Sequence, residues 1–283
     1  LDEDEVEDDD FDLTAALEAA AFVERGDIWT VGRHRLVCGD ATNAGDIELL
    51  MDGKKANLVL TDPPYNVAFE SSDGLSIKND KMSADAFYEF LLAAFTQMAG
   101  VCEKGASAYV FHADTEGLNF RRAFQDAGFK LSGCCIWVKD SLVLGRSPYQ
   151  WQHEPVLYGW VKTGKHTWYA DRKQTTVWRF DKPRRNADHP TSKPLDLLAY
   201  PIGNSTQANA IVLDTFAGSG STLMACEATN RIAYCMELDE KYASVILRRY
   251  ADATGDAAGI TCLRDGQQLA YLDVVKAVDR GKK

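Results

Sequence analysis

Short apolar runs alternate with amphipathic helical stretches along most of this chain, and that alternation restricts it to a largely parallel sheet covered by helices on both faces. NLVLTD, ASAYVFH, KLSGCCIWVKD, AIVLD and IAYCMEL read as strands. Helical signals run from Asn43 to Met51, and from Ser83, as N-cap, to about Val101, with apolar residues at Phe87, Phe90, Leu91, Ala94, Phe95 and Met98. Further helices are expected over TEGLNFRRAFQDAG, after Pro194, from about Ser219 to Thr229, and over DEKYASVILRRYADATG. Ile28 to Asp40 reads as two short strands around a turn at Gly32, and AFESSDGLSIKNDK as a mobile loop. Between Ser141 and about His189 the alternation breaks down into a stretch rich in Trp, Tyr and basic residues, with strand-like pieces at EPVLYGW and TTVWRF.

The net charge of -11 seems to exclude a polyanionic partner, but it is unevenly spread. Residues 2–12 hold nine acidic groups and no base, which fits a disordered tail on a near-neutral body. Within that body Lys162, Lys165, Arg172, Lys173, Arg179, Lys182, Arg184 and Arg185 form a basic stretch interleaved with Trp151, Trp160, Trp168, Tyr169 and Trp178, the composition of a nucleic-acid face. The seven cysteines are scattered without CxxC spacing, so neither a disulfide frame nor a metal site is expected. No run approaches the ~20 apolar residues of a membrane span. The chain is read as cytosolic; it opens inside an acidic run without a starting Met, which fits a fragment of a longer protein.

Two sites carry chemistry. In TDPPYNV two prolines end the strand NLVLTD, since neither donates to a ladder, and place Asp62 and Tyr65 just past its tip. In IVLDTFAGSGSTLMACEATN an apolar strand runs into Asp214, then Gly218 and Gly220, then a helix. A glycine turn of this kind lets a nucleotide-like ligand approach backbone at a helix N-terminus, although a tight strand-to-helix connection looks the same. The next strand ends in Glu237, 23 residues past Asp214, where a carboxylate can take both hydroxyls of a ribose.

Together these sites resemble the S-adenosylmethionine-dependent amino-methyltransferases that act on DNA, from Gly26 to about Tyr250. In that family the FxGxG motif, here Phe216-Ala217-Gly218-Ser219-Gly220, wraps the methionine part of the cofactor, and DPPY holds the target base. HPTSKP, His189 to Pro194, resembles the motif that contacts the cofactor carboxylate, through Thr191 and Lys193. Gly39-Asp40 resembles the motif whose acid reads the cofactor's adenine; IWVKD and WQHEPVLYGW look like target-pocket strands without assignable roles. The implied cofactor set is Asp40, Ala41, Asp62, Thr191, Lys193, Asp214, Phe216, Ala217, Gly218, Ser219, Gly220, Ser221, Thr222, Glu237 and Leu238. The implied catalytic set is Asp62, Pro63, Pro64 and Tyr65.

DPPY precedes the basic insert, and HPTSKP and the glycine turn follow it, an order that resembles the beta group of these enzymes. The resemblance implies a Rossmann-like α/β methyltransferase fold with a mostly parallel central sheet, circularly permuted motifs and an irregular target-recognition insert. It divides the chain into an acidic tail (1–24), a catalytic half (25–140), the insert (141–190), a cofactor-binding half (191–254) and a C-terminal extension (255–283). Duplex DNA is the implied partner; a homodimer and a cognate restriction endonuclease are compatible with it, as is a bacterial or phage-encoded, nucleoid-associated enzyme. Adenine N6 is favoured over cytosine N4. RNA or protein-amide methylation and a non-catalytic nucleic-acid module are the competing readings.

Overall fold

The computed structural model describes residues 6–9, 11–67, 80–144, 148–181 and 192–281. The expected loop AFESSDGLSIKNDK lies largely outside the described residues, as do Lys182, Arg184, Arg185 and Thr191.

Along the chain the elements are α1 (Leu13–Glu18), β1 (Ile28–Val31), β2 (His34–Cys38), α2 (Ala44–Met51), β3 (Ala56–Thr61), α3 (Ala84–Gly100), β4 (Cys102–Phe111), α4 (Gly117–Asp126), β5 (Phe129–Val143) and β6 (Trp151–Val161). They continue with β7 (Val177–Arg179), α5 (Leu195–Ser205), β8 (Ile211–Asp214), α6 (Ser221–Ala228), β9 (Ile232–Glu237), α7 (Glu240–Thr254), β10 (Ile260–Arg264), β11 (Gln267–Ala270) and α8 (Tyr271–Gly281). Local chemistry sets the ends. Asn43 and Ser83 cap α2 and α3 by accepting from Asp46 N and Ala86 N, and Gly255, at φ +69°, closes α7.

Among the described residues eleven strands join one sheet in the order β11-β10-β1-β2-β9-β8-β3-β4-β6-β5-β7. Its centre, β2-β9-β8-β3-β4, is parallel, and antiparallel pairs flank it on both sides. From Leu58 onward successive residues alternate between two cores: Leu58 and Leu60 face α5, α6 and α7, whereas Val59 faces α2, α3 and α4. From β3 the chain winds through α3 to β4; from β8 it winds through α6 to β9, in the opposite direction. The β3–β8 boundary is therefore a topological switch point, where open α/β sheets form a crevice beyond the strand ends.

Two expectations need correction. Part of the stretch expected to be an irregular insert is sheet: β6 runs between β4 and β5, with Phe111 opposite Val156 and Trp137 opposite Glu154. Apolar alternation in EPVLYGW carried that signal, but a non-parallel strand has no place in a simple β-α-β reading. The acidic N-terminal stretch is also ordered where described. Leu13 and Leu17 of α1 pack on Val245 of α7, and Phe22 and Val23 enter the main core. Its carboxylates explain why: Asp9 pairs with the buried Arg249, and Asp8 accepts from Leu195 N at the start of α5.

Candidate active site

Four of the expected motifs fall at the same edge of the sheet, just past the C-terminal ends of four adjacent parallel strands. Across β2, β9, β8 and β3 the edge presents Asp40, Glu237, Asp214 with the glycine turn, and Asp62. Thr61, Asp62, Phe111, Lys193, Asp214, Phe216, Gly218, Ser221 and Thr222 line one cleft at the switch point.

The glycine turn is built for close approach. Gly218 and Gly220 have φ of +52° and +85°, and a Cβ on Gly220 would lie 3.1 Å from the Ile246 side chain. Gly218 N donates to Glu237 Oε2 at 2.8 Å, and Asp239 N donates to Glu237 Oε1 at 2.8 Å, so the acid at the end of β9 holds the turn in shape. Burial pushes the Glu237 carboxyl up to about 7, against those two amides. Asp214 Oδ1 accepts from Thr61 Oγ1 at 2.7 Å and from Phe216 N at 3.1 Å; burial pushes this carboxyl up to about 6. Phe216 packs edge-on to Phe90, Ala217 and Ser219 are buried, and Leu238 is half-buried beside Glu237. Arg249, beneath the turn, donates to Ser219 O and Ser221 Oγ. Asp40 accepts from the backbone N and hydroxyl of Thr42, and Ala41 beside it is buried.

At the β3 tip, Pro63 and Pro64 lead to Tyr65, whose hydroxyl stands 2.5 Å from Asp62 Oδ1 and 3.1 Å from Glu154 Oε2. Asp62 Oδ2 receives Lys193 Nζ at 2.5 Å, so both of its oxygens have donors within the protein. Lys193, expected to contact the cofactor carboxylate, bridges Asp62 and Glu154, the latter at 3.5 Å. Lys139 Nζ closes the far side of Glu154 at 2.5 Å. Burial raises the Asp62 carboxyl against the pull of Lys193. Glu154 is driven up by burial too, but the two ammoniums outweigh that and take it down to about 2. Lys193 would be lowered by burial, yet the two carboxylates hold it well above the usual lysine range.

Glu154 and Lys139 had no assigned role. The signal available was charge beside apolar strand residues, Lys139 after Ile136-Trp137-Val138 and Glu154 before Pro155-Val156-Leu157.

The basic residues divide. Lys162 donates to Gln125 O, and Lys165 lies against Gly105, so both sit at the end of the sheet opposite Asp62. Eight residues of strand-like chain separate Glu154 from Lys162, about 26 Å at ~3.3 Å per residue. Arg172 and Lys173 are exposed on the loop that returns past α5. Arg179 pairs in register with Val138, next to Lys139, and so lies at the edge that carries Asp62.

Residues 56–248, about two thirds of the chain, match the family model of the N6/N4 methyltransferases, described as DNA methylase. The chain belongs to this DNA methylase family. It is 30% identical to YubD of Escherichia coli (strain K12), a methylase by name, over 74% of this chain and 86% of that one. It is 28% identical to the DNA adenine methyltransferase YhdJ of Escherichia coli (strain K12), over 69% of this chain and 76% of that one. The crystal structure of the M1.HpyAVI–SAM complex shares its fold, with a TM-score of 0.56 and 22% identity over 76% of this chain and 98% of that one. In this methylase the matched region spans the DPPY tip, the glycine turn and all five central parallel strands except β2.

Proposed function

We propose that this DNA methylase transfers a methyl group to the N6 amine of an adenine flipped out of duplex DNA, in a bacterial cytoplasmic setting. The observation that carries the reading is the single cleft shared by the DPPY tip and the glycine turn at the switch point.

The residues fit S-adenosylmethionine. The left-handed glycines leave room for a ligand against backbone, Glu237 stands at the tip of the next strand for ribose hydroxyls, and Asp40 lies one strand further for an adenine amine. Bound there, the cofactor supplies an electrophilic methyl group on a sulfonium.

An exocyclic amine is a poor nucleophile because its lone pair is delocalised into the ring. Asp62 and the Pro63 carbonyl can each accept one amine hydrogen, which draws the nitrogen toward tetrahedral geometry, and the proline rings fix both acceptors beforehand. As the N–C bond forms and the bond from the methyl carbon to sulfur breaks, leaving a neutral thioether, the nitrogen gains positive charge. Asp62 stabilises that charge, takes the released proton and passes it to solvent. Tyr65 offers a ring for the flipped base to stack on, returning roughly 1 to 3 kcal/mol of an unstacking cost of a few kcal/mol. Cytosine N4 presents the same kind of amine to the same acceptors and is the alternative; the kinship with YhdJ favours adenine.

Methyl-labelled S-adenosylmethionine incubated with duplex DNA and, separately, with RNA tests the reading. Label is expected in DNA, and Asp62→Ala should abolish it while cofactor affinity stays within a few-fold. Label in RNA alone, or activity that survives Asp62→Ala, overturns the proposal.

A further inference from the structure

Lys193 Nζ lies 2.5 Å from Asp62 Oδ2 and 3.5 Å from Glu154 Oε2, one ammonium between two carboxylates. The near contact conflicts with catalysis. An ammonium on Asp62 withdraws the electron density that an incoming amine hydrogen needs, and it repels the positive charge that grows on the nitrogen. With Tyr65 on Oδ1 and Lys193 on Oδ2, each oxygen of Asp62 already has a donor.

We infer that Glu154 is a positioning residue for methyl transfer: it receives the Lys193 ammonium when the base enters, and so frees Asp62 to accept the amine. The inference rests on the amino-methyltransferase reading above. Four features of the site support it. Glu154 is on a paired sheet strand, opposite Trp137, and is a fixed acceptor, whereas Lys193 has a long flexible stem. Lys139 at 2.5 Å neutralises the far side of Glu154 and leaves Oε2 facing Lys193 and Tyr65. Lys139, Lys193, Asp62 and Glu154 sum to zero charge, so Lys193 can change partner without charging a buried site. The Tyr65 hydroxyl, 3.1 Å from the same Oε2, can make the same exchange.

Glu154→Gln keeps the shape and removes the charge. Measured as methyl transfer to duplex genomic DNA, kcat should fall roughly 10- to 100-fold while KM for S-adenosylmethionine stays within about twofold. The acidic limb of the kcat–pH profile should move to lower pH, because Lys193 then stands on Asp62 alone and keeps it ionised further into acid. Glu154→Asp should recover part of the rate. A purely structural role would lower the melting temperature without moving the limb in that direction. An unchanged kcat in Glu154→Gln, an unmoved acidic limb, or a loss confined to KM for the cofactor overturns the role of Glu154. A wild-type chain that labels no DNA overturns the methyltransferase reading itself.

Discussion

The Thr61 hydroxyl donates to Asp214 Oδ1 at 2.7 Å, across 153 residues of sequence, and so joins the DPPY strand to the glycine-turn strand at the switch point. Thr61→Val keeps the shape and leaves Asp214 with one fewer donor. Loss of about 1 to 2 kcal/mol of stability is expected by urea denaturation. Because burial raises the folded Asp214 carboxyl to about 6 from 3.8, its contribution to stability is complete below about pH 4 and is lost as pH rises through 6. Asp214→Asn should therefore flatten the fall in stability between pH 4 and 6.

Burial pushes the Glu237 carboxyl up to about 7, so cofactor affinity should depend on pH. Ribose hydroxyls donate better to the ionised carboxylate, and binding of S-adenosylhomocysteine should tighten between pH 6 and 8. Glu237→Gln should bind roughly tenfold or more weakly and lose that dependence, as read by calorimetry across the range.

Asp9 pairs twice with Arg249, which is only 5% exposed and supports Ser219 and Ser221 of the glycine turn. Asp9→Ala leaves a buried guanidinium without its carboxylate and should cost about 3 kcal/mol in chemical denaturation. Cofactor affinity should fall with it, since the turn loses the anchor of its underlying arginine.

Arg179 lies at the catalytic edge, and Lys162 and Lys165 at the opposite end. Arg179→Ala should weaken duplex binding and reduce the slope of log K against log salt by about one contact's share, near 0.9. The Lys162→Ala, Lys165→Ala double variant should leave both unchanged in fluorescence anisotropy.

Features set by local chemistry were legible in the sequence. Ser83 announced its helix by capping, the Pro63-Pro64 pair announced the end of β3, and Gly218 and Gly220 announced a turn built on left-handed backbone. What escaped depends on pairing between distant strands. β6 joins β4 and β5 in antiparallel register, a relation that apolar alternation does not specify, and with it went the placement of Glu154 beside Asp62. The tail shows the same limit: composition reads Asp8 and Asp9 as solvated charge, whereas Leu195 N and Arg249 give them partners from almost 190 and 240 residues away.

Mass spectrometry of nucleosides digested from duplex DNA treated with this methylase and S-adenosylmethionine reads the transferred group directly. The reading predicts N6-methyladenosine deoxynucleoside that vanishes with Asp62→Ala. N4-methylcytosine alone would contradict the adenine assignment, and DNA with no methylated base would contradict the function.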